Sequence, residues 1–183
     1  MLARSFQPVP APLPVQRPVL HTTMKLLLNA WSTEYYVRLA DPRPYTFSQA
    51  YYATYFSFKA LLASVGAIGE GKELLTEAAI RGKVSAWESM GMYRDTNLPK
   101  GFFEELALYS PLLVPQPVVE DPKAEYERLL RIVETVCASH ERYILQKFGE
   151  AQYLRIVEAA PLHSQDTFLL ERTNRILLNS TLS

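Results

Sequence analysis

Apolar positions along this chain recur at three- and four-residue steps, the spacing of one helix face, and no run alternates between hairpin turns as strands do. The first periodic stretch predicts a helix from Thr22 to Ala40, with Leu27, Trp31, Tyr35 and Leu39 as its stripe and Leu28 widening it. Asp41-Pro42-Arg43-Pro44 stops it, because two prolines cannot continue the backbone ladder. The next stretch carries Phe47, Tyr51, Thr54, Phe58, Leu61 and Val65 on one face, with Tyr52, Phe56 and Ala60 beside them. Thr46 and Gln49 fit a capping box at its start, and Gly66 fits its end. A helix apolar on most sides belongs at the centre of the fold.

Downstream the pattern is shorter. Glu73–Arg81 and Lys83–Tyr93 read as two helices broken at Gly82, with a third from Leu98-Pro99 to Tyr109. Residues 111–122 form an apolar, proline-rich connection expected to lie over the core. Asp121-Pro122 reads as an N-cap with proline at the first helical position, opening a long helix to Phe148 and Gly149. Tyr126, Leu129, Leu130, Val133, Val136, Cys137, Ile144 and Leu145 form its apolar side. Glu150–Ala160 is a shorter helix, and Ser164 is placed to cap a last one carrying Phe168, Leu169, Ile176, Leu177 and Leu178. The last helix either folds on the bundle or joins a partner.

Three units follow: an extended arm over residues 1–19, a bundle over 20–149 and a helical extension over 150–183. In the arm, Pro8, Pro10, Pro12, Pro14 and Pro18 alternate with apolar residues, which excludes helix there and suits a strap docked on the bundle or on a partner. The fold class is all-α, an antiparallel helical bundle.

Composition narrows the picture. Lys+Arg and Asp+Glu both number 19, so the formal net charge is zero and a general nucleic-acid coat is excluded. The single Cys137 excludes an internal disulfide framework and suits a reducing cytoplasm. No apolar run reaches membrane-span length, and prolines interrupt any signal-like segment at the start.

Residues Ala50-Tyr51-Tyr52-Ala53-Thr54-Tyr55-Phe56-Ser57-Phe58-Lys59-Ala60-Leu61-Leu62 resemble the aromatic and alanine-rich helix of HEPN-type domains. Asn97-Leu98-Pro99-Lys100-Gly101-Phe102-Phe103-Glu104-Glu105-Leu106 is similar to the segment that precedes the long helix of that family. The resemblance spans about residues 22–148. It implies a helical bundle, frequently dimeric, and either a metal-independent ribonuclease or an inactive binding module. Active members use Arg-x(4–6)-His, a cation for the phosphate and an imidazole for the ribose hydroxyl. Here three residues separate Arg17 from His21, eight separate Arg131 from His140, and seven separate Arg155 from His163, so no pair fits.

The expectation that follows is a non-catalytic HEPN-like interaction or scaffold subunit, in prokaryotic defence or an RNA-associated complex, with a protein partner or a second copy. One alternative is a divergent ribonuclease toxin using Arg131, His140 and Arg142. Another is a bundle that binds a small molecule in a pocket lined by the aromatic helix. Arg128, Arg131 and Arg142 fall on one side of the long helix, with Lys147 near its end, and form the candidate RNA-binding face. The competing reading is a solvated face balanced by Glu125, Glu127, Glu134 and Glu141. Tyr51, Tyr52 and Tyr55 suit base stacking or, at helical spacing, burial. Cys137 reads as a buried thiol. Glu104, Glu105 and His140 lack metal-ligand spacing, and no phosphate-cradling glycine loop exists, so neither metal nor cofactor is expected.

Overall fold

The structure is a computed structural model, and it describes residues 17–67, 77–89, 91–112 and 117–180. Every regular element among them is helical. In chain order these are α1 (Arg17–Leu39), α2 (Pro44–Ser64), α3 (Glu77–Ser89), α4 (Phe102–Ala107), α5 (Pro122–Phe148), α6 (Glu150–Glu158), α7 (Leu162–Ser164) and α8 (Leu170–Ser180). A π-helical turn, Gln165–Leu169, joins α7 to α8. No described helix is long and apolar enough to cross a membrane.

Several boundaries differ from the sequence expectations, each for a local reason. Helix α1 begins at Arg17, inside the stretch assigned to the extended arm. Pro18 sits in its first turn, where the missing N–H is no loss. The strap itself, over residues 1–16, lies outside the described residues. Thr46 is not the N-cap of α2. The helix starts at Pro44 after extended Arg43, which offers no side-chain cap. Thr46 Oγ1 instead donates to the Asp41 carbonyl at 2.6 Å, tying the turn to the helix it opens. Gly82 does not divide two helices, since α3 runs through it. A glycine there costs about 1 kcal/mol against alanine, less than the burial of Ile80 and Val84 on either side returns. Residues 68–76 and 113–116, where parts of two expected elements fall, lie outside the described residues. Ser164 does not open a separate last helix, because Pro161 starts α7 and the backbone continues through the π turn into α8.

The expected cap of α5 is present. Asp121 accepts from the backbone N–H groups of Lys123 and Ala124 at 3.1 and 3.0 Å. Gly149 closes the helix with φ 81°, a conformation that suits glycine.

Helices α1 and α2, joined by a tight link at residues 40–43, pack along their lengths, and α2 also packs on α5. Ala50, Ala53, Ala60 and Ala63 are fully buried on α2, and their small side chains let its neighbours approach closely. One apolar cluster joins α2, α3, α4 and the first half of α5 through Tyr51, Phe58, Ile80, Phe102, Phe103, Leu106 and Val133. A second joins α1, the last half of α5, α6 and the C-terminal helices through Leu27, Trp31, Ile144, Phe148, Tyr153, Ile156, Leu169 and Ile176. Residues 150–180 therefore share a core with the bundle, and α8 folds back on it. Phe58 stands where the rings meet, stacked between Trp87 and Phe102 and edge-on to Phe103.

Phe58→Ala would remove that hub. An expected loss of about 3–5 kcal/mol in unfolding free energy, read from urea titration at neutral pH, checks the central position of α2. A loss below about 1 kcal/mol would contradict it.

Candidate functional site

The expected acid–base residue is in the interior. His140 is fully buried on α5. Its Nδ1 lies 2.8 Å from Ser57 Oγ on α2, and its Nε2 lies 2.7 Å from Tyr93 OH. The Phe58 ring meets it edge-on at 4.5 Å. Burial lowers its pKa to about 3, so the imidazole is neutral, with one ring nitrogen donating and the other accepting. Burial likewise pushes the Tyr93 phenol well above its ordinary value, assisted by Glu88. Both hydroxyls and the ring satisfy one another with no open position for a substrate.

The three residues of the ribonuclease alternative are not brought together. Arg131 and Arg142 are exposed, whereas His140 is enclosed. His140 lies nine positions after Arg131, about two and a half turns, which puts them on opposite faces and roughly 13 Å apart along the axis. Helical spacing alone contained this result.

The candidate RNA-binding face is equally divided. Arg128 is held by Glu125 and by Glu105 of α4, which raises its pKa and commits its fork to carboxylates. Glu125 also accepts from Tyr109 OH at 2.5 Å. Arg131, Arg142 and Lys147 are exposed. Glu141, counted with the solvated face, is instead fully buried, and Glu134 is tied to Arg175 at 3.0 Å and Arg38 at 3.6 Å. Of the tyrosine cluster, Tyr51 is core while Tyr52 and Tyr55 are half-buried. Cys137 is a buried thiol, with its pKa pushed up by burial. Glu105 faces Arg128 at the surface, so it does not meet His140.

Next to His140 lies a group of charges that the sequence reading did not assemble. Glu34 of α1, Glu141 of α5 and Arg172 of α8 are all buried. Arg172 Nη1 donates to both Glu34 oxygens at 3.0 and 2.9 Å, and Nη2 lies 3.0 Å from Glu141 Oε1. Trp31 Nε1 and Tyr153 OH each donate to Glu141 at 2.9 Å. Burial drives the Glu141 pKa up, and Arg172, Trp31 and Tyr153 oppose it. Burial also works against the Arg172 charge, but Glu141 and Glu34 outweigh it and its pKa is raised. Arg38 adds a second cation to Glu34 at 2.8 Å, and the Phe168 ring lies under both guanidiniums at 4.5 and 4.8 Å. The signal was present in the pattern. Glu34 lies three residues from Trp31, and Glu141 lies between Cys137 and Ile144, so both fall inside apolar stripes.

Above this cluster an open cleft runs between α5, α8 and the turn after α3. One lobe, about 330 Å³, is lined by Trp87, Met92, Tyr143 and Gln146. The other, about 440 Å³, is lined by Asn97, Glu134, Thr135, Arg172 and Arg175. Asp95, Thr96, Ser139 and Arg142 line both lobes. These volumes are in the range of small-ligand sites. The cleft is not lined by the aromatic helix α2, where the small-molecule reading expected a pocket.

Two consequences can be measured. Arg172→Met leaves Glu34 and Glu141 facing one another in the core, and an expected loss of about 3–5 kcal/mol at neutral pH is checked by urea unfolding. His140 binds its proton more weakly folded (about 3) than unfolded (6.5). Unfolded chains therefore take up a proton across that window, and stability falls on acidification by up to about 1.4 kcal/mol per pH unit. Glu141 contributes with the opposite sign above its ordinary value, equally in wild type and variant. The stability gap between wild type and His140→Gln should narrow from about pH 7 to about pH 4, and a constant gap would contradict the assignment. Compared with known proteins, the chain matches no family model, no curated protein and no solved structure.

Proposed function

We propose that this chain is a non-catalytic helical-bundle subunit that works by binding, the inactive branch of the HEPN-type resemblance carried by α2 and by residues 97–106. The observation that supports it is the enclosure of His140. A general base must come within hydrogen-bond reach of the proton it abstracts, and this imidazole has both nitrogens occupied by Ser57 and Tyr93 at 2.8 and 2.7 Å. Its low pKa also leaves it too weak a base for ribose chemistry at neutral pH.

The partner in this reading is a protein or a second copy. Tyr36, Leu39 and Leu162 are 60%, 65% and 76% exposed where α1 meets α7, beside the His163 ring tilted against Tyr35 at 4.5 Å. Exposed apolar groups gathered at one place mark an association surface. The defence or RNA-associated setting stands on the family resemblance alone.

Labelled single-stranded and hairpin RNA, incubated with wild type and with Arg131→Ala/Arg142→Ala, is expected to remain intact in both cases without added metal. Both arginines are exposed, so the double variant should fold. Cleavage by wild type that the double variant loses would overturn the proposal in favour of a divergent ribonuclease.

A further inference from the structure

The cleft over the buried ion cluster contains an arrangement that the binding-subunit proposal does not use. Asp95 and Arg142 are both exposed and both line its two lobes. Among the described residues neither makes an ion pair or a side-chain hydrogen bond with a protein group. The other charges of the cleft are committed. Arg172 is held by Glu34 and Glu141, and Arg175 holds Glu134 at 3.0 Å. One carboxylate and one guanidinium thus remain across the same space, lying beyond pairing distance of each other.

We propose that this cleft binds a small zwitterion, an α-amino acid with a bulky apolar side chain. Arg142 would take the carboxylate through its two-pronged fork. Asp95 would take the ammonium, and the hydroxyls of Thr96 and Ser139, on the shared wall, donate to the Tyr93 and Thr135 carbonyls and so have lone pairs left to accept from that ammonium. The side chain would enter the lobe lined by Trp87, Met92 and Tyr143, whose ring faces and thioether suit a flat or branched apolar group. An anion alone would leave Asp95 facing it, and a cation alone would leave Arg142 facing it. Only a ligand bearing both charges satisfies both residues.

This inference does not depend on whether the chain cleaves RNA. Its test is calorimetric titration of the full chain with L-phenylalanine, L-tryptophan, L-leucine and L-methionine, beside phenylacetate and phenethylamine as single-charge controls. Saturable binding of at least one amino acid is expected, at least tenfold tighter than its single-charge control. Asp95→Asn should abolish the advantage of L-phenylalanine over phenylacetate, and Arg142→Gln its advantage over phenethylamine. Both side chains are exposed and unpaired, so unchanged circular dichroism and melting temperature should accompany both variants. The proposal is overturned if none of the four amino acids saturates, or if the selectivity survives both substitutions.

Discussion

The contact on which this molecule depends is the Glu34–Arg172–Glu141 ion triad, because it joins helices far apart in the sequence. Its members come from α1, α5 and α8, and Arg172 lies 138 positions after Glu34. A guanidinium or carboxylate taken alone into this interior would cost several kcal/mol. Each of the three helices therefore brings a group that is tolerable only when the other two are in place. Such a triad adds little net stability over a well-packed apolar substitute. Its effect is on arrangement. It makes alternative dockings of α8 costly, and so ties a helix that could have been a free interaction element to the bundle.

The π-helical turn belongs to the same logic. Gln165–Leu169 carries Phe168, which lies under the guanidiniums of both Arg38 and Arg172. The wider turn shifts the phase of α8 relative to α7. Beyond it, α8 places Arg172 inward and Arg175 toward Glu134 at the surface. On α5, His140 and Glu141 are consecutive, so one residue faces Ser57 and Tyr93 while the next faces Trp31 and Tyr153. The interior is thus occupied by two polar nodes, the His140 hydrogen-bond group and the Glu34–Arg172–Glu141 ion cluster. That leaves the groups able to meet a ligand on the outside of α5, where Arg142 follows directly.

Much of the candidate site was legible before any coordinates. The burial of Cys137 and Tyr51 followed from their place in apolar stripes, and so did the core side of α5. The opposition of Arg131 and His140 was also available from helical spacing. The capping box at Thr46 was a false signal, since a proline two residues earlier offers a better first turn and the sequence carries both patterns at once. The break at Gly82 was another. A glycine's weak preference is outweighed when residues on both sides have a core to enter.

What the chain determined by itself is its all-helical class, the long α5 with its aspartate cap and glycine end, and the central, nearly all-round apolar α2. These follow from interactions within a few residues, namely periodicity, capping and the steric rules for proline and glycine. What only the tertiary structure decided is which charges go inside. Glu34, Glu141 and Arg172 look like surface residues taken singly. Their burial is favourable only as a set, and membership of that set is fixed by the packing of three helices distant in sequence. Tertiary packing also decides that the exposed Asp95 and Arg142 share a cleft, because α5, α8 and the turn after α3 meet there.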